Sequence, residues 1–384
     1  MSKPRRQLAI PRQALEHVRR QLLAGQEQEY VPLSREETEI IAMIRRQTAE
    51  KNRNNITRTA AYWQFYRQFP EVHWAFLAHM VSRNSGWNMT DLRGEWLPRL
   101  IGEEQIRDLF LFLETANALI FQDAYPQLML YAESKKRRAN LFHLLPWFHV
   151  SSFMKPFWDV FWRTKNSALI TVALIVNEQN YIEPRVVQDP DFQTNVLRTF
   201  IFRAQSLLHL GPTLFPYIIP EQAANGGPEC KLAGLIMENF ANLRERIEFG
   251  KQLYLILFAF PEIHKGILRF AAIPHSASRA DYWPHLFSKS KTARDGRRKL
   301  RGCRLMPGAE PFYSPELTKA WADVPLPNPD RADWFQDTAV LDVFASLEPP
   351  DDFDITGKYC LVLNGLEAAV TAKSRLLQAL DPFF

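Results

Sequence analysis

Cysteine is scarce and unpaired in spacing. The three residues, Cys230, Cys303 and Cys360, are odd in number and far apart, with no Cys-x-x-Cys. Neither a disulfide framework nor a zinc cluster is therefore indicated. The nine histidines form no His-x-x-x-His or His-Glu-x-x-His, so metal binding has no pattern behind it. A Gly-x-Ser-x-Gly elbow, a phosphate loop and Gly-x-Gly-x-x-Gly are missing too, which counts against a serine-hydrolase elbow and the common nucleotide folds. Long apolar runs are absent: Ala168 to Val176 and Leu253 to Phe260 are the longest, well short of the roughly 20 residues that span a bilayer. The N-terminal stretch is basic without a continuous apolar core and does not read as a secretory signal. A net charge of +5 over 384 residues is modest and predicts no general affinity for polyanions. These absences lead us to expect a soluble cytoplasmic protein, with no cofactor implied.

What the chain does have is apolar and aromatic mass. Hydrophobic residues make up 46%, charged residues 23% and aromatics 12%, with 27 Phe and 10 Trp. That is globular composition with aromatic-rich packing. The densest stretch is Asn55 to Asp91, which holds Tyr62, Phe65, Tyr66 and Phe69 at helical spacing. Pro70-Glu71 then opens a second helix, in which Val72, Phe76, His79 and Arg83 recur every three or four residues. Asn84-Ser85-Gly86 suits a left-handed C-terminal cap and predicts the end of that helix.

Helical spacing runs through nearly every segment before Ile273. Residues up to about Tyr30 form a basic amphipathic helix, and Ser34-x-x-Glu37 is a capping box for the next. Ile106 to Phe121 is a buried helix, with another starting at Tyr125-Pro126. Ala168 to Ile182 is a helix stopping before Pro184, and Asp191 to Leu210 a further one. Pro216 to Pro228 is a linker, after which a long helix spans Leu232 to Phe260. Nine of the 26 prolines lie beyond Arg304, and periodicity returns only at Leu366 to Leu380. The expectation is a mostly α, multi-helix globular domain. It divides into a basic segment (1–30), a helical core (31–272) and an irregular Pro-rich region with a closing helix (273–384), packed on the core.

The run NITRTAAYWQFYRQFPEVHWAFLAHMVSRNSGWNMTD, with QDAYPQLMLYAES and SRADYWPHLFS further on, resembles a bacterial family of uncharacterised proteins, domain of unknown function 2515. The likeness covers the chain between about Tyr30 and Ala322. It implies a bacterial cytoplasmic setting and brings no catalytic residues with it.

Three groups of residues are candidates for chemistry. His79 and Arg83 share a helix face, with Asn84 and Asn88 at or beyond its expected end. An imidazole and a guanidinium fork suit a phosphate or carboxylate. The bland alternative is that Arg83 caps helix-end carbonyls and His79 fills a polar gap. Arg58, in a first helical turn, opposes the helix dipole unless an anion, Glu71 or Asp91 receives it. Glu178 sits on an apolar stripe with Thr171, Leu174, Ile175 and Ile182, where desolvation would raise its pKa as an acid or base requires. A structural partner, Arg58 or Arg83, is the plainer explanation. Lys289 to Arg304 adds eight basic residues against Asp295, a patch for nucleic acid or an anionic membrane, although most such runs are solvated loops.

Three function classes follow. The first is an anion-recognising site open to enzymatic use, with His79 and Glu178 catalytic and Arg58, Arg83, Asn84 and Asn88 binding an anionic small ligand. The second is a scaffold whose polar cluster only ties helices together. The third is a peripheral binder of anionic lipid or nucleic acid through the 289–304 loop.

Overall fold

A computed structural model describes residues 6–25, 32–199, 212–219, 230–291, 299–325 and 330–380, with side chains to 376. The fold is mostly α. Helices α1 (Arg12–Leu23), α2 (Arg35–Lys51), α3 (Asn55–Gln68) and α4 (His73–Asp91) open it, followed by a one-turn α5 (Leu97–Leu100) and α6 (Glu103–Arg137). Helices α7 (Met154–Thr164) and α8 (Ser167–Ile182) and a short α9 (Pro190–Phe192) come next. An antiparallel hairpin, β1 (Pro212–Ile218) with β2 (Cys230–Ile236), precedes α10 (Leu243–Ala259) and α11 (Pro261–Ala271). The remainder holds four two-residue strands, β3 (Phe287–Ser288), β4 (Leu300–Arg301), β5 (Arg304–Leu305) and β6 (Phe312–Tyr313), then α12 (Leu317–Ala320) and α13 (Thr356–Leu380).

Local chemistry accounts for the helix starts. Ser34 accepts the Glu37 amide and the Glu37 carboxylate accepts the Ser34 amide, so the α2 capping box is complete. Asn54 and Thr57 make the same reciprocal pair at α3. Helices α3 and α4 pack as an antiparallel pair. Their polar seam is Thr59 Oγ1 to Ser82 Oγ at 2.6 Å and Asn55 Nδ2 to the Ser82 carbonyl at 2.9 Å. Aromatic rings fill the rest, with Tyr66 stacked on Phe76 at 4.8 Å and Tyr62 edge-on to Trp74 at 5.5 Å.

Four local expectations are corrected. Helix α4 does not end at Asn84-Ser85-Gly86 but continues to Asp91. Gly86 is there for close approach, since a Cβ would lie 2.5 Å from Asn55 Oδ1 and 2.9 Å from both Ala277 Cβ and His275 Nε2. Gly86→Ala should therefore destabilise by about 1–2 kcal/mol, overpacking outweighing the gain in helix propensity; urea unfolding reads it directly. Tyr125-Pro126 starts no helix, because α6 runs through Pro126 as one 35-residue element. Burial of Phe121, Ala124, Leu128 and Tyr131 around the proline offsets the missing amide bond.

Residues 216–218, expected in a linker, belong to β1, and residues 232–236, expected as the first turns of a helix, belong to β2 of the hairpin. Gly234 is required in it, since any Cβ would collide with the Thr213 carbonyl oxygen. Residues 220–229, and the expected helix from 200 onward, lie outside the described residues. Finally, Cys303 and Cys360 are disulfide-bonded, with Cα atoms 5.3 Å apart across 57 residues of sequence, a pairing their spacing did not suggest.

Two apolar clusters form the interior. The larger joins α1 to α4, the second half of α6, α7, α8, the hairpin, α10 and α11, and takes in Leu341, Phe344 and Phe353. The smaller gathers Met89, Leu92, Leu109, Phe110, Phe112, Ile182, Val186 and Val196. Helix α6 contributes to both. Among the described residues no helix is long and apolar enough to cross a membrane.

Candidate functional site

A cavity of about 340 Å3 opens where the two clusters meet. Tyr62 comes from α3, Trp74, Leu77, Ala78 and Val81 from α4, Leu109, Phe112 and Leu113 from α6, and Phe249 and Leu253 from α10. Gly250 lets α10 approach α8 there, since a Cβ would fall 2.8 Å from Ile175 Cγ2. The walls are mostly apolar, with polar groups at a few stations, the usual make-up of a small-molecule site.

Of the six residues singled out by sequence, three line this cavity: Arg58, Asn88 and Glu178. Arg58 is fully buried and donates through Nη2 to Glu114 Oε2 at 2.5 Å and through Nη1 to Asn52 Oδ1 at 3.2 Å. Its partner is thus Glu114 on α6, not the expected Glu71 or Asp91. Glu71 accepts from the Tyr131 hydroxyl and lies beside Lys135, whereas Asp91 receives Arg279 in a bidentate pair. Burial raises the Glu114 carboxyl and Arg58 partly opposes it. Asn88 Oδ1 accepts from Arg279 Nη2 at 3.4 Å.

Glu178 has neither Arg58 nor Arg83 as a partner. Its Oε2 accepts from Trp74 Nε1 at 3.2 Å and its Oε1 from Gln179 Nε2 at 3.3 Å. Desolvation pushes its carboxyl up to about 8, against those two hydrogen bonds and with help from Asp123. Asp123 is itself buried, held by Asn177 and Gln127, and desolvation takes it to about 7.

The other three residues lie away from the cavity lining. His79 is buried between Trp63 and Phe76, its Nδ1 donating to the Thr59 carbonyl at 2.9 Å. Burial and the Arg83 charge hold it well below the usual imidazole range, so it is neutral near pH 7. Arg83 Nη1 reaches the carbonyls of Phe270, Ala271 and Ile273 at the end of α11, and its guanidinium lies 4.4 Å from the Phe270 ring centre. Asn84 Oδ1 accepts the Leu214 amide at 2.9 Å and ties α4 to β1. Arg83→Lys should cost about 1–3 kcal/mol, because the differently shaped side chain gives up the Nη1 contacts to the α11-end carbonyls and the stacking on Phe270; chemical denaturation measures it.

Sequence reading missed Trp74, Gln179, Arg246 and the whole α10 wall as site residues. The one local signal was Gly250 inside an otherwise helical run. Arg246 is engaged with Glu183 and with Gln179 Oε1 at 3.0 Å. In the basic loop, 292–298 lie outside the described residues. Of the rest, Lys289 pairs with Asp281 and Glu316, and Lys299 is buried. Among the described residues no cluster of three or more His, Cys, Asp or Glu could hold a metal ion.

No solved structure matches the chain. It is 37% identical over 321 residues to the "Uncharacterized protein YppC" of Bacillus subtilis (strain 168), an alignment covering 83% of this chain and 91% of that one. The family described as "Protein of unknown function (DUF2515)" matches residues 50–356, a span that contains the cavity and every element building it. With most of its length matched, the chain belongs to the DUF2515 family.

Proposed function

We propose that the protein binds a small, largely apolar molecule in the cavity between α3, α4, α6, α8 and α10, with Glu178 meeting its polar end. The observation that carries this reading is the wall itself: a 340 Å3 space lined by Leu, Phe, Trp and Tyr side chains with polar groups at discrete stations. The test is titration with the neutral fluorophore N-phenyl-1-naphthylamine, whose emission rises in apolar surroundings. The wild type should bind it saturably at one site. Ala78→Phe, which fills the space from α4, should weaken binding at least about tenfold while leaving the helical circular dichroism unchanged. Unsaturable emission, or equal binding by the filled variant, counts against the reading.

A second reading keeps the anion-recognising site on the His79–Arg83 face. It is favoured by two buried donors with no hydrogen-bond partner, Arg83 Nε and Arg83 Nη2, since buried donors are nearly always satisfied. Phosphate or chloride should then raise the melting temperature of the wild type and not of Arg83→Lys. An equal response in both chains sinks it.

A further inference from the structure

We infer that the cavity ligand carries a protonated amine, received by Glu178 as its counter-ion beside the rings of Trp74 and Tyr62; this rests on the cavity being a binding site. Four charged side chains stand on the wall, Arg58, Asp91, Glu178 and Arg246. Three are already neutralised, Arg58 by Glu114, Asp91 by Arg279 and Arg246 by Glu183. Glu178 alone has no cation in contact among the described residues, and only two neutral donors, Trp74 and Gln179, reach it. A ligand anion would find every guanidinium on the wall occupied, whereas a ligand cation would complete the one charge without a partner. The rings beside that carboxyl add to the fit. Trp74 and Tyr62 stand at 88° to one another with centres 5.5 Å apart, and both rings line the cavity that Glu178 faces. Ammonium groups are attracted to such faces as well as to the carboxylate.

The proton balance is explicit. Without ligand, Glu178 holds its proton up to about pH 8. An alkylammonium entering at pH 7 displaces that proton to solvent, so that a neutral acid and a cation become an ion pair and a free proton. The other groups facing Glu178 are Tyr62 and Arg58 from α3, Trp74 from α4, Asp123 from α6 and Arg246 from α10. Arg58, Asp123 and Arg246 have partners of their own, Trp74 donates to Glu178 itself, and Tyr62 is neutral throughout the range used because burial holds its hydroxyl well above the usual phenol value.

The experiment compares octylamine, octanol and octanoate as competitors for the bound fluorophore, with calorimetry in two buffers of different ionisation enthalpy to count protons. Octylamine should bind the wild type at least about tenfold more tightly than octanol at pH 9, and its affinity should fall about tenfold on going to pH 7, one proton being released per amine there. Octanol affinity should be flat with pH. Glu178→Gln should erase both the amine preference and the proton release, and Asp123→Asn should retain them. Should Glu178→Gln fail to fold, the wild-type comparison and its proton count still decide. Octanol or octanoate binding as tightly as octylamine at pH 9 overturns the amine and leaves the cavity site standing. No binding by any of the three, together with no bound fluorophore, removes both.

Discussion

Replacing Arg58 by Ala is expected to lower the unfolding free energy by about 3–5 kcal/mol, because the change leaves Glu114 buried without its cation. Both partners are almost wholly shielded, at 1% and 5% side-chain exposure, and the guanidinium also holds Asn52 at the end of α2. Urea unfolding at pH 7 measures the loss. Two controls separate the pair from mere packing. The deficit should shrink toward pH 5, as the orphaned Glu114 escapes its burial by taking up a proton. The double change Arg58→Met with Glu114→Leu should recover much of the loss, since an apolar pair of similar volume carries no desolvation penalty. A single-variant loss below about 1 kcal/mol would mean that Glu114 finds solvent or another cation.

Glu178 sets the second large effect, on stability as a function of pH. Its folded pKa, about 8, lies above its ordinary value, so the folded state prefers the proton. Stability from this group is complete below about pH 4.5 and falls as pH rises, by up to about 1.4 kcal/mol per unit, levelling off above pH 8. Glu178 keeps some surface toward the cavity it lines, which screens the charge and reduces the total. We expect Glu178→Gln to be more stable than wild type by about 2–3 kcal/mol at pH 9 and equal to it near pH 4. Asp123, at about 7, adds a parallel decline that both chains keep. The acid side has a separate origin. His73 and His275 are held by burial near 3 and 4, so stability falls as pH drops below the ordinary imidazole value, where the unfolded chain takes up those protons first. Melting temperatures of the two chains between pH 4 and 9 test the pattern; parallel curves across the whole range would show that Glu178 ionises freely in the fold.

Features written in neighbouring residues were legible in the sequence. Ser34 and Glu37 announce α2 because a capping box needs nothing beyond four consecutive residues. The apolar stripe of Glu178 was visible because helical spacing places it. Features decided by distant atoms were not. Gly86 reads locally as a helix stop, and only Asn55, Ala277 and His275, packed against it, make it a contact glycine. Pro126 reads as a start until the apolar residues around it are seen to be buried. The partners of Arg58 and Glu178 are likewise a matter of which helix faces which. Glu114 is 56 residues from Arg58, and Trp74 is 104 from Glu178. No spacing rule reaches that far. The hairpin was hidden for another reason: Pro212, Pro216 and Gly234 are poor strand residues, and their pairing is fixed by contact with α4 and with Asp354.

The cavity at the meeting of the two clusters also gives the molecule a mechanical character. Cavity volume inside a fold is volume that unfolding gives back, so hydrostatic pressure works against the folded state as that volume grows. Here the cavity lies along one seam, with helix α6 running from one cluster to the other beside it. Compression should therefore be felt first across α6, as a closing of the seam, while the close-packed aromatic rings between α3 and α4 yield less. A bound molecule would act as a strut, making the same seam the stiffest part of the protein.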